Sequence, residues 1–261
     1  MNEQTAIAFD GLGHRYGLGA WVFRDYTARL QRGRVAALLG RNGRGKTTLL
    51  KLLVGVLKPT AGRLDLRGRI ALAPQSFQAS FDYSALDIVL MGRARQVGLF
   101  AQPSRRDEQA ALAALDRFGL ADRARRPFLQ LSGGQRQLVL IARALVSDAE
   151  ILVLDEPAAA LDLRNQTMAL DWIARLSREH GLTVLFTTHH PQHALDVADD
   201  VWLMLGEDRL FCGPASSALS EAHLSALYET PIKRLAFEYD GRLRETLFAL
   251  GPASQPRALA R

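Results

Sequence analysis

Cysteine is nearly absent from this chain. Cys212 stands alone in 261 residues, so no internal disulfide can form and packing must hold the fold. A buried, inert thiol is the expected state of such a residue. Long apolar runs are missing too. Stretches such as Val35–Leu39, Leu138–Ala142 and Ile151–Leu154 read as core strands or buried helix pieces. None approaches the ~20 residues needed to cross a bilayer. The opening residues, MNEQTAIAFD, hold neither a basic n-region nor an apolar h-region, so no secretion signal is expected. Lysine is scarce: Lys46, Lys51, Lys58 and Lys233 are the only four of 33 basic residues, and the other 29 are arginines. Those arginines are scattered among alanines and acids. The net charge of +6 therefore reads as a compositional bias and not as a nucleic-acid-binding face. No internal repeat or long low-complexity segment is visible, which excludes solenoid and disordered classes. These absences together lead to the expectation of a cytoplasmic globular protein.

What is present is an ordinary globular profile, 48% hydrophobic and 23% charged, long enough for a large core. Residues 4–10 and 21–30 read as strands around a Gly-rich turn, Val35–Leu39 as a short buried strand and 45–54 as a helix. Residues 63–74 read as two short strands around Gly68. Residues 84–147 contain only helical patterns, such as Asp107–Phe118 with Ala111, Leu112, Leu115 and Phe118 at helical spacing. Strands then alternate with helices: strands at 151–154, 183–187 and 201–205, helices at 163–180 and 191–199. Buried strands alternating with helices predict an α/β fold with a parallel sheet covered on both faces. Beyond it, 214–230 reads as helical, 232–239 as a short strand and 251–261 as a loose tail. The expected organisation is one domain over 1–250, with a helical insertion at about 82–147.

Gly40-Arg41-Asn42-Gly43-Arg44-Gly45-Lys46-Thr47 fits G-x-x-x-x-G-K-[ST] between an apolar strand and a helix. Glycines let backbone N–H groups wrap a phosphate, Lys46 reaches the β- and γ-phosphates, and the Thr47 hydroxyl suits Mg²⁺. Such a loop needs a metal-side carboxylate. Ile151–Leu154 carries Asp155 and Glu156 to a strand end, where Asp155 would hold the Mg²⁺ shell and Glu156 would activate the attacking water. A terminal Asp-Glu-Pro could also be a plain turn. Gln75 and His189 lie at two further strand ends, the edge where α/β sheets bind ligands. Gln75 could coordinate Mg²⁺ or water, and His189 could bond the γ-phosphate. His189, His190 and His193 also spell H-H-x-x-H, a spacing that suits a metal on a helix. Pro191 more naturally starts the helix there, leaving His190 and His193 as solvated neighbours.

A second potential anion site lies in Leu131-Ser132-Gly133-Gly134-Gln135, which opens a helix. Free N–H groups and the helix dipole favour an anion there. Ser132 could equally serve as a plain N-cap over a core helix. With these residues assembled, the chain resembles the ATP-binding-cassette ATPases over about residues 4–230. LSGGQ matches the family signature, with Ser132 86 residues after Lys46 and Gln135 20 before Asp155. The resemblance implies a P-loop NTPase core (RecA-like) with a small antiparallel β-subdomain and an inserted helical subdomain. It implies that Tyr16 stacks on adenine, although a lone tyrosine near a turn could equally be structural. It makes Gly40–Thr47 and Thr48 the ATP-binding loop, Gln75 the Q-loop residue, Glu156 the catalytic glutamate, His189 the switch histidine and Ala159-Ala160-Leu161-Asp162 the D-loop.

The same resemblance implies a head-to-tail homodimer in which Ser132, Gly133, Gly134 and Gln135 meet the ATP of the partner subunit, with ATP and Mg²⁺ as cofactors. Ala158 and Ala159 stand where the family often has hydroxyls. Arg44 replaces a usual small residue, with solvent exposure and added charge near the phosphates both open. Eighty-six residues leave no room for the coiled coil of a DNA-repair cassette, and one cassette is too few for the usual translation factor. An exporter usually fuses its membrane domain to the cassette. The remaining expectation is an importer ATPase on the cytoplasmic side of the cell membrane. It would work with separate permease subunits and, through them, a substrate-binding protein, and without nucleic acid. Residues 87–100, of which Ile88, Val89 and Met91 read as core, and "SEAHLSALYETPI" at 220–232 resemble the importers of iron–siderophore, haem and cobalamin. The short stretch between the first helix and Gln75 makes the chain most similar to the molybdate and tungstate importer ATPase.

Overall fold

The computed structural model describes residues 4–75, 77, 81–97, 101–159 and 161–251. Ala160 of the expected D-loop, residues 98–100 of the segment after Gln75 and residues 252–261 of the expected tail lie outside them. Strands β1 (Thr5–Arg15), β2 (Trp21–Gln31), β3 (Val35–Leu39), β4 (Ala61–Leu66) and β5 (Ile70–Ala73) surround helix α1 (Lys46–Leu53). A helical stretch follows: α2 (Ala85–Leu90), a single 3-10 turn at Met91–Arg93, α3 (Ala94–Val97), α4 (Arg105–Asp116) and α5 (Gly133–Leu145). Then come β6 (Ile151–Leu154), α6 (Leu163–His180), β7 (Thr183–Thr188), α7 (Pro191–Val197), β8 (Asp200–Met204), β9 (Leu210–Pro214), α8 (Ala215–Ala218), α9 (Glu221–Tyr228), β10 (Ile232–Tyr239) and β11 (Arg242–Ala249).

The central sheet runs β5-β6-β7-β3-β8-β9, parallel except for the antiparallel edge strand β9. Strand β3 is buried throughout, and its residues divide by parity. Val35, Ala37 and Leu39 join a core with Leu170, Ile173 and Leu176 of α6 and Leu224 and Leu227 of α9. Ala36 and Leu38 join the opposite core, with Leu49, Leu50 and Leu53 of α1 and Ile7, Phe9 and Phe23 of the antiparallel sheet β2-β1-β4. Apolar burial on both faces explains why the central strands are hydrophobic without alternation. An edge-to-face contact between Phe9 and Trp202, centroids 5.4 Å apart, joins the two sheets. No helix among the described residues is long and apolar enough to cross a membrane.

The helical insertion has its own core, with Ile88 and Val89 buried and Met91 half-buried. Ser84–Asp87 and Ser104–Asp107 form capping boxes that start α2 and α4. Arg93 pairs with Asp107 and also donates to the Val146 carbonyl at 3.3 Å, tying the 3-10 turn to α4 and α5. Trp172 of α6 donates its indole N–H to the Arg117 carbonyl at 3.1 Å and packs on Phe118, locking the insertion to the main body.

One expectation needs correction, and two strands escape the sequence reading. The helix expected over 214–230 breaks at Leu219, and Ser220 starts α9 anew by accepting the His223 N–H. Strand β9 was not expected, because a short Leu-Phe-Cys-Gly-Pro edge strand carries neither length nor alternation. Residues 242–249 form β11, which pairs with β10 as a hairpin. Its sequence RLRETLFA is mostly exposed and lacks a clean period of two.

Asp107 accepts hydrogen bonds from Ser104 and Arg93, which hold its pKa down at about 2 against the ordinary 3.8. A depressed carboxylate stabilises the fold above the unfolded pKa and loses that contribution as pH falls through the folded value. Asp107→Asn is therefore expected to lower stability at neutral pH. The difference from wild type should shrink between about pH 4 and pH 2 in urea denaturation series.

Candidate functional site

Four adjacent parallel strands, β5, β6, β7 and β3, end on one edge. Neighbouring strands lie ~4.8 Å apart, so residues just past their carboxyl ends are brought together whatever their separation in sequence. Those residues are Gln75, Asp155 with Glu156, His189 and Gly40. A cleft of about 530 Å³ lies there, lined by Tyr16, Asn42, Gly43, Gly45, Lys46, Thr47, Thr48, Gln75, Glu156 and His189 among others.

The loop before α1 has glycine where the backbone requires it. Gly45 sits at φ 90, and a Cβ there would come within 2.5 Å of Val22. Lys46 is only 7% exposed. Its ammonium donates to the Gly40 carbonyl at 2.8 Å and the Arg41 carbonyl at 3.4 Å, and lies 3.9 Å from Glu156. Burial lowers the Lys46 pKa, while Glu156 and Asp155 oppose that fall. Arg41 and Arg44 are exposed and do not line the cleft. Arg41 pairs with Glu229.

Asp155 continues β6, donating its N–H to the Ala73 carbonyl of β5 at 2.9 Å. One carboxylate oxygen accepts the Thr47 hydroxyl at 3.0 Å, and the other accepts the Thr187 hydroxyl at 2.7 Å. The next residue leaves the strand: Glu156 has φ 47, an uncommon conformation for a side-chain-bearing residue. Its N–H donates to Thr187 Oγ1 at 2.8 Å, which holds that turn. The Glu156 carboxylate then accepts from the Gln75 amide at 3.3 Å and lies 3.2 Å from His189 Nδ1. Tyr16 is 55% exposed at the mouth of the cleft, edge-on to His14 and 3.2 Å from the Thr48 hydroxyl.

Thr187 escaped sequence reasoning. A threonine inside a strand looks like any β-former, and only the register between β6 and β7 brings it beneath Asp155. His193 is corrected: it is buried and not solvated, its ring 3.2 Å from the Thr188 hydroxyl. Burial, with charge on His190 and His189 adding to it, lowers the His193 pKa to about 4. His190 is exposed. Among the described residues no group of three or more His, Cys, Asp or Glu could hold a metal alone, so H-H-x-x-H forms no such site.

Ser132–Gln135 and Asp162 do not line the cleft. Ser132 is exposed at the start of α5, its hydroxyl accepting the Gln135 N–H while the Gln135 side chain accepts the Ser132 N–H. Asp162 caps α6. The helix behind Ser132 is tied to the Gln75 region by Arg143, whose guanidinium lies 5.1 Å from the Phe77 ring.

Removing the Thr187 hydroxyl should leave Asp155 Oδ1 and the Glu156 N–H without that partner at a fully buried position. Thr187→Val is expected to cost about 1–3 kcal/mol in denaturant unfolding, and Thr187→Ser to stay near wild type.

The ABC transporter family model matches residues 23–159. The chain is 40% identical to the molybdate import ATP-binding protein MolC of Haemophilus influenzae over 95% of each chain. It superposes with TM-score 0.88 at 38% identity on a chain of an inward-facing ABC transporter described as metal-chelate type, covering 95% of this chain and 98% of that one. A dimeric bacterial ABC transporter cassette matches at TM-score 0.69 and 25% identity, over 75% of this chain and 93% of that one. With the family model matching over residues 23–159 and these relatives covering nearly the whole chain, the chain belongs to the ABC transporter family as an ATP-hydrolysing, nucleotide-binding subunit.

Proposed function

We propose that the chain powers an importer as a head-to-tail homodimer bound to separate membrane subunits on the cytoplasmic face of the membrane. The importer role rests on the molybdate-import relative and the metal-chelate-type transporter chain, and the observation that carries its hydrolytic step is the Glu156 carboxylate, where Gln75, His189 and Lys46 meet. A carboxylate there can take the proton of a water attacking the γ-phosphate. Lys46 would move from loop carbonyls to the β- and γ-phosphates, Asn42, Gly43, Gly45 and Thr48 would line the phosphate path, and Tyr16 would stack on adenine. His189 would bond the γ-phosphate.

The donors around Asp155 suit a hard cation. Thr47 and Asp155 offer two oxygens that already touch, and the amide oxygen of Gln75, whose nitrogen donates to Glu156, would add a third. These are the oxygen donors that would hold Mg²⁺, which favours such hard ligands. Bound there, Mg²⁺ would neutralise charge building on the phosphates.

The dimer follows from the second anion site. Among the described residues no atom lies within 4 Å of where a Gly133 Cβ would stand, so no contact among them calls for glycine there. Ser132 is exposed at a 13-residue helix start outside the cleft. An open, glycine-lined helix start suits the γ-phosphate of the partner subunit's ATP. Asp162 and the D-loop would then lie near the dimer contact. ATP does work here by binding the closed dimer better than the open one.

Glu156→Gln is expected to abolish steady-state turnover and trap an ATP-bound dimer, while Ser132→Arg blocks hydrolysis with ATP binding by the monomer intact. Phosphate release, gel filtration with ATP and nucleotide titration read all three. Normal turnover by monomeric Glu156→Gln, or lost binding in Ser132→Arg, refutes the assignment.

For cargo we favour molybdate or tungstate, on the strength of the MolC relative, and place chelated iron, including siderophore and haem, and cobalamin next. With the membrane subunits in vesicles, molybdate-loaded binding protein is expected to raise ATP hydrolysis. Stimulation by a loaded iron chelate and none by molybdate would reverse that order.

A further inference from the structure

Helix α9 ends where glycine is the ordinary residue. Glu229 caps it at φ 54 and ψ 34, the left-handed region that strains a Cβ and that glycine enters freely. A glutamate held there against backbone preference directs attention to its side chain. That carboxylate pairs with Arg41, in the loop whose carbonyls hold Lys46. The preceding residue, Tyr228, donates its hydroxyl to the His189 carbonyl at 3.0 Å. Two consecutive residues at one helix end thus touch two loops of the cleft, one following β3 and the other following β7.

Resting on the reading of the cleft as the hydrolytic site, we propose that Tyr228 and Glu229 are positioning residues for ATP hydrolysis, holding the His189 main chain and the phosphate loop in fixed relation. The ring of His189 faces Glu156 at 3.2 Å while its carbonyl is held by Tyr228. A shift of that main chain moves the ring relative to the reacting phosphate, and orientation errors of this kind reduce turnover more than binding.

The C-terminal hairpin supports the same grip. Glu221 of α9 accepts from Lys233 Nζ at 2.8 Å and from the Arg234 N–H at 2.9 Å. Gln192, three residues after His189, accepts the Leu247 N–H at 3.1 Å and donates to the Glu245 carbonyl at 3.2 Å. The segment carrying His189 is therefore held by α9 and by β11. An ion pair as exposed as Arg41–Glu229 contributes little to stability, so replacing Glu229 should leave Tm near wild type.

The test measures ATP hydrolysis by the full chain over a range of ATP concentrations, together with thermal unfolding of each variant. Tyr228→Phe is expected to lower kcat about fivefold to twentyfold with KM within about twofold of wild type. Glu229→Gly relieves the backbone strain, so its Tm should be unchanged or raised while kcat falls about threefold. A purely structural role predicts the reverse pattern, with Tm lowered and the kcat of the folded fraction untouched. Wild-type kcat in both variants, or a fall that only tracks loss of folded protein, overturns the proposal. Glu156→Gln is measured alongside. If it is inactive while Tyr228→Phe and Glu229→Gly are fully active, the positioning role alone fails. If Glu156→Gln turns over like wild type, the hydrolytic site and this proposal fail together.

Discussion

One hydroxyl group organises the site. Thr187 is fully buried in β7, where its oxygen donates to Asp155 and accepts from the Glu156 N–H. Asp155 has its other carboxylate oxygen committed to Thr47 in the first turn of α1. Two adjoining side chains therefore join the ends of β6 and β7 to the start of α1. In a dry interior such bonds are costly to leave unmade, so the three segments hold one geometry. The left-handed turn at Glu156 depends on the same hydroxyl. Without that turn its carboxylate would not meet Gln75, His189 and Lys46 together.

The central sheet makes this possible because it is rigid on both sides. Helix α1 and the antiparallel sheet cover one face, α6 and α9 the other, and the strand ends are left as the edge where ligand can enter. The insertion is fastened to that body through Trp172 and to the Gln75 region through Arg143 over Phe77. The C-terminal helix and hairpin grip the opposite flank through His189, Gln192 and Arg41.

Much of the site was legible in sequence, for a reason particular to these residues. The Gly40–Thr47 loop, the Asp155–Glu156 pair and the Ser132–Gln135 stretch are shaped by local backbone geometry, so their spacing along the chain carries their placement. Gln75 and His189 were legible only because each ends a recognisable strand. Thr187, Tyr228 and Glu229 were not, since their partners lie far away in sequence and their residue types are common in strands and helices. His193 was misread as solvated because its helix was judged from the sequence around Pro191, while its burial depends on packing against Thr188.

Residue order along the chain determined that a glycine-rich loop would open a helix after a buried strand, that Asp155 and Glu156 would follow another strand and that Ser132 would start a separate helix. These follow from short motifs whose hydrogen-bonding groups are fixed within a few residues. The tertiary structure alone decided that Thr187 would tie the acids in place, that Ser132 would stand outside its own chain's cleft and that the C-terminal hairpin would hold the His189 segment. Each of these depends on strand register and on packing between distant segments, which no local pattern encodes.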